Sequence, residues 1–222
     1  MTAGHVLVIA DGAVPAAATL ERVWPGWSSG IDLVIAADGG ARHAERLGRR
    51  IDRWVGDGDS LGEDGIRELD LLGVAIDRHP TDKDETDAEL AVRAAAASGA
   101  SRITIVGALG GARVDHALGN VWLLAMPELD GRDAVLLDEA ARIRLGAPGP
   151  IDLSGHVGDL VSLLPFGGDV DGITTSGLRY PLRDEPLRAG PARGLSNVRD
   201  SADASIRVRS GRLLVIETPA RL

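Results

Sequence analysis

No cysteine occurs in the 222 residues, which excludes disulfides, thiolate metal sites and a cysteine nucleophile. Aromatic residues make up 3% of the chain, little material for base stacking. A net charge of −9 and a pI near 5.0 argue against nonspecific nucleic-acid binding, which needs a basic face. No apolar run approaches the roughly 18 residues of a membrane span. The opening MTAGHVLVIADG lacks the basic region and the length of a signal peptide, so the expected location is the cytoplasm, with no membrane partner. No GxxxxGK(S/T) stretch is present, which excludes a P-loop, and no GxGxxG follows the first apolar run, which weakens a dinucleotide reading. Lysine is the last scarcity: Lys83 is the only one among 24 basic residues.

What is present suits a soluble globular chain, 44% hydrophobic and 26% charged. The first two-thirds alternates short Val/Ile-rich runs with helical segments. Strands are expected at His5–Asp11, Asp32–Asp38, Arg53–Gly56, Val74–Asp77, Arg102–Val106 and Ala134–Asp138. Helices are expected over 16–23, 41–47, 63–72, 87–98 and 116–126. This alternation predicts an α/β domain with a doubly wound parallel sheet over residues 1–146. Gly146-Ala-Pro-Gly-Pro150 reads as the boundary. Beyond it, short strands at Asp159–Leu164, Val170–Thr174, Ile206–Arg209 and Leu213–Glu217, divided by Gly/Pro turns, predict a small all-β sandwich domain over 151–222.

Asp11, Asp38 and Asp57 fall at strand ends, where open parallel sheets bind their ligands. In Ala37-Asp38-Gly39-Gly40-Ala41 the glycines permit close backbone approach and free N–H groups for an anion, although Asp38 equally suits a helix N-cap. In Gly56-Asp57-Gly58-Asp59-Ser60, two carboxylates two residues apart on extended backbone can share one hard cation, or the turn can simply cap the next helix. His79–Glu89 packs five carboxylates around Lys83, with Asp84 and Asp87 on one face of a nascent helix. A solvated acidic helix start is the alternative there. The stretch Gly107–His116 offers Arg113 as a bidentate phosphate clamp, Asp115 to orient a hydroxyl or join a metal cluster, and His116 as either a base or a structural group. An acidic protein binds an anionic nucleotide when a divalent metal bridges carboxylates and phosphates.

ADGGA, GDGDS, DKDETDAE and GGARVDH, followed by SLLPF, GITTSGLRYPL and GLSN, resemble in order and spacing the thiamine pyrophosphokinase family. The resemblance implies transfer of a pyrophosphoryl group from MgATP to thiamine, leaving AMP, by a homodimer with sites at the subunit interface. It implies Asp57, Asp59 and Asp87 as Mg²⁺ carboxylates, Asp38 and Asp115 as further characteristic acids, and Arg113 facing phosphate. It places Lys83 beside the transferred phosphates and brings Ser196 and Asn197 to thiamine. Asp84, Gly39, Gly40 and His116 complete the expected site. Departures are Gly58 for a bulky apolar residue, Arg42 for asparagine, the extra Ala112 and Val198 for glutamate. A pyrophosphokinase for a pterin-like heterocycle and a noncatalytic nucleotide or metal sensor are the competing readings.

Overall fold

The computed structural model describes residues 4–220 as two compact units, one ending at Glu139 and the other beginning at Ala140. The first contains β1 (His5–Ile9), α1 (Ala17–Val23), β2 (Ile31–Ala37), β3 (Arg53–Gly56), α2 (Gly62–Leu71), β4 (Ala75–Arg78), α3 (Asp87–Ala97), β5 (Arg102–Val106), α4 (Val114–Leu123) and β6 (Asp133–Leu137). The six strands run parallel in the order β4-β3-β2-β1-β5-β6. All five residues of β1 are buried, as a strand covered on both faces requires. Leu7 and Ile9 join Leu20, Trp24 and Trp27 in one apolar cluster, while α3 packs against β1, β2 and β3. The chain runs outward from β1 to β4 and then returns to the other side of β1. That reversal opens a crevice at the carboxyl ends of β1 and β5.

The expected helix over 41–47 is instead two 3₁₀ segments, Asp38–His43 and Glu45–Leu47. The cause is close packing at Gly39 and Gly40. A Cβ on Gly40 would lie 2.2 Å from the Ile9 carbonyl, and one on Gly39 would lie 2.4 Å from Asp11 Oδ1. The chain leaves β2 pressed against β1, in a tight turn without room for a regular α-helical first turn. Helix α3 follows expectation more closely: Thr86 caps it by accepting from the Glu89 amide at 3.1 Å, and Ala91, Val92, Ala95 and Ala96 are its buried face.

The second unit contains β7 (Arg142–Gly146), β8 (Gly149–Asp152), β9 (Leu160–Ser176), β10 (Arg183–Leu187), β11 (Asn197–Val198), β12 (Ser205–Val208) and β13 (Ser210–Thr218). Its pairings are antiparallel: β13 lies between β7 and β9, and β9 also pairs β10, β11 and β12. The expected strands at Asp159–Leu164 and Val170–Thr174 are parts of one 17-residue strand. The sequence boundary at Gly146 is also corrected. Strand β7 pairs β13, and Arg142 donates to buried Glu217 through Nε at 2.9 Å and Nη2 at 2.6 Å. Breaking so buried a pair is costly, so residues 142–146 belong to the second unit. Among the described residues no helix is long and apolar enough to cross a membrane.

Candidate active site

In the first unit a cleft of about 480 Å³ lies beyond the ends of β1, β2 and β5. Asp11, Asp38, Asp59, Ser60, Lys83, Thr86, Asp87, Arg113, His116 and Asn120 are among its lining residues. Five separate sequence segments therefore converge, because each follows a strand or begins a helix at the same edge of the sheet.

Asp38 is 4% exposed and sits at φ 40°, in the left-handed region. It does not act as a helix cap. Its Oδ2 accepts from the Ser60 amide at 3.2 Å, while Oδ1 is buried without a hydrogen-bond partner. One carboxylate oxygen from each of Asp38, Asp57 and Asp59 falls within a 4.8 Å set. Three anionic oxygens that close repel one another, and a buried acceptor without a donor is costly. A hard divalent cation relieves both penalties with the oxygen ligands it prefers, so the residues fit such an ion.

Lys83 Nζ lies 3.1 Å from Asp57 Oδ2 and 3.0 Å from Asp87 Oδ1. Burial works against its charge, yet the two carboxylates outweigh that effect and raise its pKa. The Asp59 amide, with Lys83 adding to it and burial opposing, holds the Asp57 carboxyl below the ordinary value. Asp87 is driven the other way, chiefly by burial and also by the Asp57 and Asp38 charges, against the pull of Lys83. The oxygens thus group differently from the expected Asp57, Asp59 and Asp87: Asp38 completes the close set, and Asp87 meets it through Lys83.

Arg113 lines the cleft and holds Asp115 through Nε to Oδ1 at 2.9 Å and Nη2 to Oδ2 at 2.6 Å. That guanidinium is the main reason the Asp115 carboxyl titrates well below the usual range, which makes it a poor base and a good hydrogen-bond acceptor. His116 lines the cleft, whereas Asp84 is exposed and outside it. Gly39 and Gly40 are buried against β1 and do not line the cleft. Asn120, overlooked in the sequence, donates to the Ala108 carbonyl at 2.9 Å and ties the glycine loop to α4. Its signal was its place one turn beyond His116.

In the second unit a pocket of about 370 Å³ is lined by residues including Leu163, Tyr180, Leu182, Arg193 and Asn197. Tyr180 is 65% exposed. The side chain of Asn197 makes three contacts: Oδ1 accepts from the Tyr180 and Val198 amides at 3.0 and 2.9 Å, and Nδ2 donates to the Tyr180 carbonyl at 2.7 Å. Ser196, at φ 57°, donates its amide N–H to Ser162 Oγ at 3.0 Å. Asn197 therefore fixes the backbone that carries the ring.

Residues 26–136 match the family model for the thiamin pyrophosphokinase catalytic domain, and residues 150–213 match that for the thiamin pyrophosphokinase vitamin B1 binding domain. The chain is 29% identical over 164 residues to a thiamine pyrophosphokinase of Bacillus subtilis, covering 73% of this chain and 76% of that protein. Among solved structures it is similar to thiamine pyrophosphokinase from Bacillus subtilis, with TM-score 0.81, 25% identity and coverage of 97% and 99%. The thiamin pyrophosphokinase family protein of Enterococcus faecalis gives TM-score 0.81 at 26% identity with the same coverage. The yeast enzyme, at 16% identity and TM-score 0.78 over 99% of this chain and 88% of that one, shares the fold.

Proposed function

The chain belongs to the thiamin pyrophosphokinase family, and from that premise we propose that it moves a pyrophosphoryl group from ATP to the hydroxyl of thiamine, giving thiamine diphosphate and AMP. The observation that carries the reading is the partnerless Asp38 Oδ1 inside a set of three carboxylates at the edge of a cleft. Asp38, Asp57 and Asp59 would hold Mg²⁺, with Asp87 as the anchor of Lys83. When bound, the ion neutralises triphosphate charge and polarises phosphoryl oxygens.

The remaining work is positioning and charge stabilisation, as phosphoryl-type transfer demands. Lys83 and Arg113 bind the phosphates and balance the charge that collects on departing AMP. Asp115 accepts a hydrogen bond from the thiamine hydroxyl and aims its oxygen at the β-phosphorus, with His116 and Asn120 lining the cleft beside it. As the new oxygen–phosphorus bond forms, the bond from the β-phosphorus to the AMP oxygen breaks and the hydroxyl proton passes to solvent. In the second unit, the exposed Tyr180 ring offers a face for the cationic heterocycle of thiamine. A homodimer is supported by α4, which exposes Val114, Leu118 and Trp122 at four-residue spacing beside the cleft. A second copy covering that stripe would close the site to water.

The test is a product assay with purified protein, thiamine, ATP and Mg²⁺. Equal amounts of AMP and thiamine diphosphate, both lost with EDTA, are expected. AMP without thiamine diphosphate would sink the choice of acceptor, and no nucleotide turnover with any acceptor would sink the reading as an enzyme. Light scattering on the same sample checks the dimer.

A further inference from the structure

Trp54 is not among the residues that line the cleft. It lies in the middle of β3, fully buried at 0% exposure, in a cluster with Ala36, Ile66 and Val74. Its register partner on β2 is Ala36, yet its indole N–H reaches two residues further and donates to the Asp38 carbonyl at 3.0 Å. Asp38 holds φ 40°, a conformation that a residue with a side chain keeps only when its surroundings enforce it. The same ring borders the next acidic turn. A Cβ on Gly56 would lie 3.1 Å from Trp54 Cζ2 and 2.9 Å from Asp38 Cβ. One on Gly58, which sits at φ 87°, would lie 3.7 Å from Trp54 Cη2. A single side chain thus grips the turn that carries Asp38 and underlies the turn that carries Asp57 and Asp59.

We propose that Trp54 is a positioning residue for the divalent-cation site: its indole N–H fixes the Asp38 main chain so that this carboxylate completes the set begun by Asp57 and Asp59. The inference rests on the cation reading given above. An apolar residue of similar size would fill the same core but would leave the Asp38 carbonyl without its donor. The carboxylate would then be free to leave the left-handed conformation, and the three oxygens would no longer converge.

The experiment is Mn²⁺ binding followed by electron paramagnetic resonance on the full chain without nucleotide. Trp54→Phe is compared with the unsubstituted protein and with Trp27→Phe, a control in a different buried cluster. Trp54→Phe is expected to weaken Mn²⁺ binding about five- to tenfold, the size of one lost hydrogen bond, while Trp27→Phe leaves it unchanged. Equal weakening in both variants would reduce Trp54 to a packing residue and overturn the proposal, as would undiminished binding in Trp54→Phe. No Mn²⁺ binding in the unsubstituted protein would instead overturn the cation reading beneath it. A second measurement needs no substitution at position 54. On titration with Mg²⁺ the Trp54 indole N–H resonance, assigned by elimination with the other tryptophans replaced, is expected to shift, and a resonance that stays fixed at saturation would overturn the proposal.

Discussion

Arg113 and Asp115, two residues apart, face each other through two parallel contacts of 2.9 and 2.6 Å. The guanidinium that would clamp phosphate is therefore already holding an anion, and incoming nucleotide must compete for it. Asp115→Asn removes the competitor. We expect KM for ATP to fall by about twofold to fivefold, in keeping with an exposed ion pair. Turnover falls about tenfold, because a neutral amide oxygen accepts the thiamine hydroxyl more weakly than a carboxylate does. Steady-state kinetics on both substrates checks the opposed directions.

Asp87 gives a different split. Its burial already disfavours the charged form, so an uncharged isostere removes that cost. Asp87→Asn is expected to keep stability at neutral pH within about 1 kcal/mol while turnover falls about a hundredfold as Lys83 loses its anchor. Urea melts and the product assay, run on one preparation, test both halves. Near-normal turnover would remove Asp87 from the site.

Asn197 provides a test confined to one substrate. Asn197→Ala removes the three contacts that fix the backbone at Tyr180 and Val198. KM for thiamine is expected to rise about tenfold, with KM for ATP unchanged. A rise in both would show that the loss had spread beyond the pocket.

His5 sets an acid limit on the first unit. Its Nδ1–H donates to the Ser29 carbonyl at 2.9 Å, so Nε2 accepts from Thr104 Oγ1 at 2.9 Å. Burial, only partly opposed by the Ser29 contact, lowers its pKa from 6.5. The unfolded chain therefore binds a proton before the folded one does, and stability falls as pH drops from 6.5 towards the lower folded value. Above 6.5 the contribution is fully present. Urea midpoints between pH 7.5 and 5 should show this slope, and His5→Asn should flatten it.

Strands β3 and β5 fall at the expected residues: Arg102–Val106 is an apolar run closed by Gly107, whereas Arg53–Gly56 is a weak signal with only Trp54 and Val55 apolar. The convergence of Asp38, Asp57, Asp59, Lys83 and Arg113 on one edge was also readable, since each follows a strand or opens a helix. Residues whose role depends on a distant partner were not. Arg142 looked like the end of the first unit because its partner on β13, Glu217, comes 75 residues later. Gly167-Gly168 looked like a turn, but β9 runs through both glycines with positive φ, bending without ending. Asn197 was expected near thiamine from the resemblance alone, and nothing local showed that its amide group contacts Tyr180. Trp54 read only as an apolar strand position, and its reach to Asp38 exists only once β2 and β3 are in register.

The pairing of β13 with both β7 and β9 also bears on how the chain is made. All six strands of the parallel sheet have been synthesised by Leu137, so the first unit can begin to assemble while translation continues. The second half cannot close in the same way. Strands β7 and β9 must wait for residues 210–218 to clear the ribosome, and until then their edges stay open to other nascent chains. Slowing elongation late in the message should lengthen that exposed interval, and with it the demand for chaperones, more than slowing it early.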